Sequence, residues 1–79
     1  MNIKSKNRDE YLTNLINYAN YLYKEEIPER ENIEYLSGIL HRTIEHFKGK
    51  DIDDPSFEAS LIGIKKAYNQ LKSKLDSLN

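Results

Sequence analysis

The sequence predicts an all-α fold, a small antiparallel three-helix bundle, from three observations. Residues 54–79 carry apolar side chains at alternating spacings of four and three, the period of a long amphipathic helix. Two earlier segments have the same helical period, and short turns with proline or glycine separate them. A chain of 79 residues without cysteine holds one small domain and no disulfide framework.

The first predicted helix covers residues 8–25, and residues 1–6 are expected to form a flexible basic tail. Asn7 and Glu10 have the spacing of a capping box, in which each side chain bonds a free backbone N–H. The apolar stripe of this helix is wide enough to contact two neighbouring helices. The stripe consists of Tyr11, Leu12, Leu15, Ile16, Ala19, Leu22 and Tyr23.

The second predicted helix covers residues 29–48. Proline disfavours helical geometry in the residue before it, so Ile27 ends the first helix and Pro28 opens the second. The turn is short, which makes the two helices antiparallel neighbours. Gly49 stands where a C-terminal cap glycine is expected. One face of this helix carries Ile33, Leu36, Leu40, Ile44 and Phe47, with Ile39 and Thr43 beside them.

The third predicted helix covers residues 55–78. Asp54 is expected to cap it, and Pro55 at the first helical position loses no hydrogen bond because its N–H would have no partner there. Gly63 interrupts the helix at a cost of about 1 kcal/mol relative to alanine, and a close helix crossing would explain it. The stripe of this helix consists of Phe57, Leu61, Ile64, Tyr68, Leu71, Leu75 and Leu78.

These stripes predict the buried core and one exposed apolar patch. The third helix is longer than the others, so Leu75 and Leu78 are expected to overhang the bundle and to meet a second copy or a partner. Such a homodimer would complete the bundle into a larger one. The residues expected to be buried are Leu15, Ile16, Ala19, Leu22, Leu36, Leu40, Ile44, Phe47, Leu61, Ile64, Tyr68 and Leu71.

Composition limits the classes of function. The net charge of −1, with 32% charged residues, has neither the basic excess of a nucleic-acid binder nor the dense negative charge of a DNA mimic, so no nucleic-acid partner is expected. No apolar run approaches the length of a membrane span or a signal peptide. We therefore expect a cytoplasmic protein without membrane insertion.

The sequence predicts no enzyme, no cofactor and no metal site. Asp51, Asp53 and Asp54 resemble the start of a calcium-binding loop, but the later ligand positions of that loop are absent, and helix capping explains the acidic turn. His41 and His46 are five residues apart, which separates them by about 140° around a helix and prevents them from binding one zinc ion together. Neither histidine has a nucleophile or third ligand at a suitable spacing.

Tyrosines supply the predicted protein-binding surface. Tyr18, Tyr21 and Tyr35 fall on flanking or outward faces of their helices, and exposed aromatic rings with polar tips are enriched at interfaces. They lie close in sequence to several glutamates. With Leu75 and Leu78 they are the candidate residues for binding a partner protein.

The pattern resembles the cytoplasmic immunity proteins that protect lactic-acid bacteria from their own pediocin-like bacteriocins, the enterocin A immunity type. The resemblance implies a helical bundle that recognises a bacteriocin-locked sugar-transporter receptor from the cytoplasmic side, largely through its C-terminal part. That family has four helices, whereas this sequence predicts three. The resemblance rests on Leu12, Leu15, Ile16, Ile33, Leu36, Leu40, Ile44, Phe47, the Lys48-Gly49-Lys50 turn, Asp54-Pro55 and Tyr68.

Two functions therefore remain open at the level of sequence. The first is an immunity-type module that binds a membrane receptor complex. The second is a small helical adaptor or inhibitor, for instance phage-encoded, that acts as a homodimer or on a soluble partner. The ending Ala67-Tyr68-Asn69-x-Leu71-Lys72 is also similar to a family of short Bacillus proteins known as YvfG, for which the resemblance implies only helices.

Overall fold

The computed structural model describes residues 5–78, with side chains from residue 8 onward. It contains three helices, α1 (Ser5–Lys24), α2 (Arg30–Phe47) and α3 (Pro55–Ser77). α3 packs extensively against both α1 and α2, whereas α1 and α2 touch each other much less. The predicted all-α three-helix bundle is confirmed, and α3 is its central element.

Contacts at the two ends of the bundle give the helix directions. Arg8 near the start of α1 and Phe47 at the end of α2 both pack against Phe57 near the start of α3. At the opposite end, Lys74 of α3 bonds the backbone of Tyr23 near the end of α1. α1 and α3 therefore run in the same direction, and α2 runs antiparallel to both.

The core follows the predicted stripes, but its edges differ from the prediction. Ile16, Ile44, Phe47, Leu61 and Tyr68, expected to be buried, are only partly buried. Tyr11 and Tyr23, placed on the core stripe of α1, are exposed. In a three-helix bundle, the two neighbours of a helix cover a narrower arc than its apolar stripe spans. Side chains at the edges of the stripe therefore remain partly exposed to solvent. The buried apolar residues are Leu12, Leu15, Ala19, Leu22, Ile33, Leu36, Leu40, Phe57, Ile64, Ala67 and Leu71.

The start of α1 corrects two predictions. The helix begins at Ser5, so Asn7 lies within it and cannot be its N-cap. Ser5 and Lys6, expected in the basic tail, belong to the helix, and the rest of that tail lies outside the described residues. No proline or glycine interrupts the helix between Ser5 and Glu10. The spacing of a capping box, here Asn7 and Glu10, is therefore not sufficient to determine where the helix begins.

The turns follow the sequence more closely. Glu29 is the extended N-cap of α2, so Pro28 precedes the helix instead of opening it. Gly49 has a φ of 78°, the left-handed conformation expected of a glycine after a helix end. The Asp54 side chain accepts a hydrogen bond from the Ser56 backbone N–H at 3.1 Å, and Pro55 is the first residue of α3. Both predictions for the start of α3 are confirmed.

Candidate functional site

A groove between α1 and α2 is the best candidate for a binding surface. Its volume is about 620 Å³. It opens because α1 and α2 pack mainly on α3 and little on each other. We call it the tyrosine groove; its lining residues are Arg8, Tyr11, Leu12, Tyr35, Ile39, Arg42, Thr43, His46 and Phe47.

Two tyrosines stand on opposite walls of this groove. Tyr11 on α1 is 54% exposed and Tyr35 on α2 is 69% exposed. Leu12 is buried, and Ile39 and Phe47 are partly buried, so the groove has an apolar interior between aromatic walls. Tyr35 was predicted to lie on a binding surface, whereas Tyr11 was placed on the core stripe of α1. The position of Tyr11 at the stripe edge was the only signal that could have indicated its exposure.

Two arginines add positive charge to the groove. The guanidinium of Arg8 lies 3.6 Å from the centroid of the Phe57 ring, and its Nη2 is 3.7 Å from a carboxylate oxygen of Asp54. Arg8 is therefore held in place by a cation–π contact and an ion pair. Arg42 is exposed, and no ion pair of its guanidinium occurs among the described residues.

Charge is distributed unevenly along α2. Its first half carries Glu31 and Glu34, and Glu34 pairs with Arg30 at 3.1 Å. Its second half contributes Arg42 and His46 to the groove. Exposed Glu45 offsets Arg42, so the second half of α2 is close to neutral, whereas the first half has a net negative charge.

The predicted trio of tyrosines divides into a pair and a separate residue. Tyr18 and Tyr21 stack on the surface of α1, with ring centroids 6.5 Å apart and planes at 20°. Both are exposed, as predicted, but neither is among the lining residues of the tyrosine groove. Tyr35 instead shares the groove with Tyr11. The groove and the stacked pair are thus distinct features of the surface.

The predicted C-terminal overhang is wrong for one of its two leucines. Leu75 is partly buried against the core, beside Tyr68 and Lys72 in a shallow hollow between α2 and α3. Leu78 is 38% exposed, at the C-cap of α3. α3 exceeds α1 by three residues, 23 against 20, which is less than one turn, and the first half of α2 lines the hollow beside Leu75.

A second hollow lies between the end of α2 and the first half of α3. Its volume is about 390 Å³, and Ile44, Phe47 and Leu61 line it, which accounts for their partial exposure. Its other lining residues include three lysines and two glutamates, residue types that are depleted at interfaces. The tyrosine groove is lined by tyrosine and arginine, the types that dominate binding energy. We therefore favour the groove.

The acidic turn and the histidines have structural roles in this fold. Asp54 caps α3, and Asp51 and Asp53 are exposed. His41 packs beside the Tyr68 ring at 5.6 Å between centroids, whereas His46 meets Phe47 edge to face at 4.7 Å. Within the part of the chain described, no three histidine, aspartate or glutamate side chains come close enough to hold a metal ion.

Comparisons of the chain with protein-family models, curated proteins and solved structures found no match. Among residues 5–78, none of the helices combines the length and apolar character needed to cross a membrane. The resemblance to bacteriocin immunity proteins therefore stays a prediction.

Proposed function

We propose that this chain is a non-enzymatic protein-binding module that takes up an amphipathic helix of a partner in the tyrosine groove. The observation that carries the proposal is the open space between α1 and α2, with the exposed rings of Tyr11 and Tyr35 on its walls. Grooves between helices bind amphipathic helices through anchor residues spaced three or four positions apart. α3 contributes no lining residue to this groove, so its interior is open to another helix.

The lining residues specify the chemistry of the partner. Apolar anchors on the partner helix would pack against Leu12, Ile39 and Phe47. Carboxylates beside those anchors would meet Arg42, since arginine pairs with carboxylates through two parallel hydrogen bonds and Arg8 already pairs with Asp54 and Asp9. The partner is thus an amphipathic helix with acidic residues along one flank.

The kind of protein that carries this helix stays a prediction. The immunity resemblance implies a membrane receptor complex, and the adaptor interpretation implies a soluble protein or a second copy of the chain. A bacteriocin precursor gene beside the coding gene would favour the first, and phage genes would favour the second. The groove proposal does not depend on this choice.

Site-specific photo-crosslinking in the native host tests the proposal. p-Benzoylphenylalanine is placed at Tyr35 and, as a matched control, at Ile62, which is 63% exposed and lies on α3 outside the groove. We expect a protein adduct from position 35 and none from position 62. The substitution Arg42→Glu, combined with the probe at position 35, should reduce the adduct at least tenfold because it repels the partner's carboxylates.

Two results would contradict the proposal. One is the absence of any adduct from position 35 in cells that contain folded protein. The other is an adduct of equal yield from positions 35 and 62, which would show that the probe reports general crowding. Mass spectrometry of the adduct identifies the partner segment, which should be helical with acidic residues beside its apolar anchors.

A further inference from the structure

We propose that the hollow between α2 and the second half of α3 is a binding site for a small monocarboxylate. It shares no lining residue with the tyrosine groove, so this site does not depend on the proposed function. Its volume is about 300 Å³. We call it the serine hollow; its lining includes Ser37, Gly38, His41, Tyr68, Lys72 and Leu75.

Ser37 is the first feature of the serine hollow that the fold leaves unexplained. The residue is 5% exposed, and its Oγ is buried without a hydrogen-bond partner among the described residues. A hydroxyl in a helix commonly bonds the carbonyl four positions earlier, as Thr43 does with Ile39 at 2.9 Å, but Ser37 makes no such bond. Burying an unpaired hydroxyl is unfavourable. A ligand oxygen at the base of the hollow would supply the missing acceptor.

Gly38, the next residue along α2, is the second unexplained feature. A Cβ atom added there would have one neighbour within 4 Å, Nη1 of Arg42 at 3.7 Å, which is ordinary contact. Glycine inside a helix is unfavourable relative to alanine, and packing within the chain does not require it here. By contrast, a Cβ on Gly63 would lie 2.8 Å from Cδ1 of Ile16, so a close crossing of α1 and α3 explains that glycine. The missing side chain of Gly38 keeps the serine hollow open to a ligand.

The lining side chains supply hydrogen-bond donors and one unpaired positive charge. Ser37 and Tyr68 carry hydroxyl groups, and His41 carries an imidazole N–H. The Lys72 ammonium forms no ion pair among residues 8–78. Neutral donors around a cation bind a carboxylate through charge-assisted hydrogen bonds.

Two acidic residues of α2 lie near the serine hollow, and both have cationic partners. Glu34 also lines the hollow, and its Oε2 lies 3.1 Å from Nε of Arg30. Glu45 is outside the lining, and its Oε2 lies 3.9 Å from Nε2 of His41 and the same distance from a lysine ammonium. Lys72 therefore keeps its charge available for a ligand.

The position of the serine hollow selects a monocarboxylate over a phosphate. Its lining on α2 and α3 lies beyond the first turn of each helix, where the backbone N–H groups bond carbonyls within the helix. Phosphate sites use free N–H groups at a helix N-terminus or clustered arginines, and this lining has neither. A single lysine matches a single negative charge. Leu75, which is partly buried, forms an apolar wall for the body of the ligand.

Titration of the isotope-labelled full chain with benzoate, followed through amide chemical shifts, tests the proposal. We expect saturable shifts centred on residues 37–41 and 68–72, with a dissociation constant of about 1 mM, appropriate to a shallow site and a small ligand. Benzyl alcohol, a neutral compound of similar shape, should bind at least about tenfold more weakly because it lacks the charge. Inorganic phosphate should also bind more weakly than benzoate.

Three substitutions test which residues hold the ligand. Gly38→Gln fills the hollow and should weaken benzoate binding at least about tenfold, while circular dichroism shows unchanged helix content. Lys72→Gln should weaken binding about tenfold. Lys66→Gln is the matched control and should have no effect, since Lys66 is exposed on α3 and lines a different hollow.

The third substitution separates ligand binding from a structural role. Ser37→Ala should weaken benzoate binding about threefold to tenfold without lowering the free energy of unfolding. The reason is that the hydroxyl it removes has no partner in the free protein. A hydroxyl needed by the fold would instead lower stability and leave the affinity unchanged.

Several results would overturn the proposal. Among them are the absence of saturable shifts up to about 20 mM benzoate in folded protein, equal affinity for benzyl alcohol, and tighter binding of phosphate. An affinity that Gly38→Gln or Lys72→Gln leaves unchanged would overturn it as well, as would a loss of stability in Ser37→Ala without an effect on binding. A preference for benzoate with the expected sensitivity to all three substitutions would support it.

Discussion

Lys74 of α3 donates hydrogen bonds from Nζ to the backbone carbonyls of Tyr23 and Glu25, the second at 2.6 Å, and so caps the end of α1. The last carbonyls of a helix have no partner within it, and the helix dipole makes that end partly negative. The ammonium also lies 5.7 Å from the centroid of the Tyr23 ring. The Lys74 side chain thus links α3 to the C-terminus of α1, although the bonded residues are about fifty positions apart in sequence.

We predict that Lys74→Met lowers the free energy of unfolding by about 1–2 kcal/mol, because charged hydrogen bonds to the α1 carbonyls are lost while the aliphatic stem is kept. Urea denaturation followed by circular dichroism measures the change. Lys72→Met is the control, since Lys72 is exposed on the same helix and should change stability by less than about 0.5 kcal/mol. Equal losses in the two variants would show that Lys74 is not a specific cap.

Gly63 and Ile16 should be energetically coupled. Gly63→Ala places a Cβ 2.8 Å from Cδ1 of Ile16, and we expect overpacking to exceed the gain in helix propensity and to lower stability by about 1 kcal/mol. In an Ile16→Val background that atom is missing, so the same substitution should raise stability. A double-mutant cycle in urea gives the coupling, about 1–2 kcal/mol. Additive effects within error would contradict the close crossing.

The sequence predicted the elements whose signals are local. Asp54 as a cap, Gly49 in the left-handed conformation and the length of α3 all follow from residues within one or two turns of each other. Gly63 was also interpretable, because glycine inside a regular stripe has few explanations other than close packing.

The features that were missed depend on contacts between distant segments. Periodicity locates the centre of an apolar stripe but not the width of the arc that neighbours cover, so Tyr11 was placed on the core stripe and Phe57 was not among the residues expected to be buried. The tyrosine groove exists because α1 and α2 pack against α3 more extensively than against each other. Lys74 reaches backbone carbonyls, and sequence pattern does not indicate which helix end a lysine will meet.

The substitution Leu40→Ala tests whether this face of α2 belongs to the core. Leu40 is fully buried, and Leu40→Ala should lower the free energy of unfolding by roughly 2–5 kcal/mol, most of the stability of a domain of this size. Thermal unfolding should show a large drop in melting temperature. Ile62→Ala removes a similar side chain that is 63% exposed and should have an effect within about 0.5 kcal/mol. An unchanged melting temperature for Leu40→Ala would show that this face is not core.

Substitutions of Asp54 test whether its side chain stabilises the N-terminus of α3 as a cap. Asp54→Ala removes the acceptor for the Ser56 N–H and should cost about 0.5–2 kcal/mol, with or without a chelator. Asp54→Asn keeps an acceptor in the same place and should lose less than half as much, because the ion pair with Arg8 that it removes is partly exposed and contributes little. Calorimetry that shows stoichiometric micromolar calcium binding to the wild type would contradict the capping interpretation.

Gly38→Ala tests whether the fold of a single chain requires glycine at this position. The substitution should raise the free energy of unfolding by about 0.5–1 kcal/mol, because the added Cβ would make only an ordinary contact, 3.7 Å from Nη1 of Arg42, and helix propensity improves. Urea denaturation at a few micromolar protein measures this, with the Gly63→Ala loss as the internal contrast. A gain would mean that the fold of a single chain does not require glycine at this position. A loss would reveal a requirement for glycine within the chain.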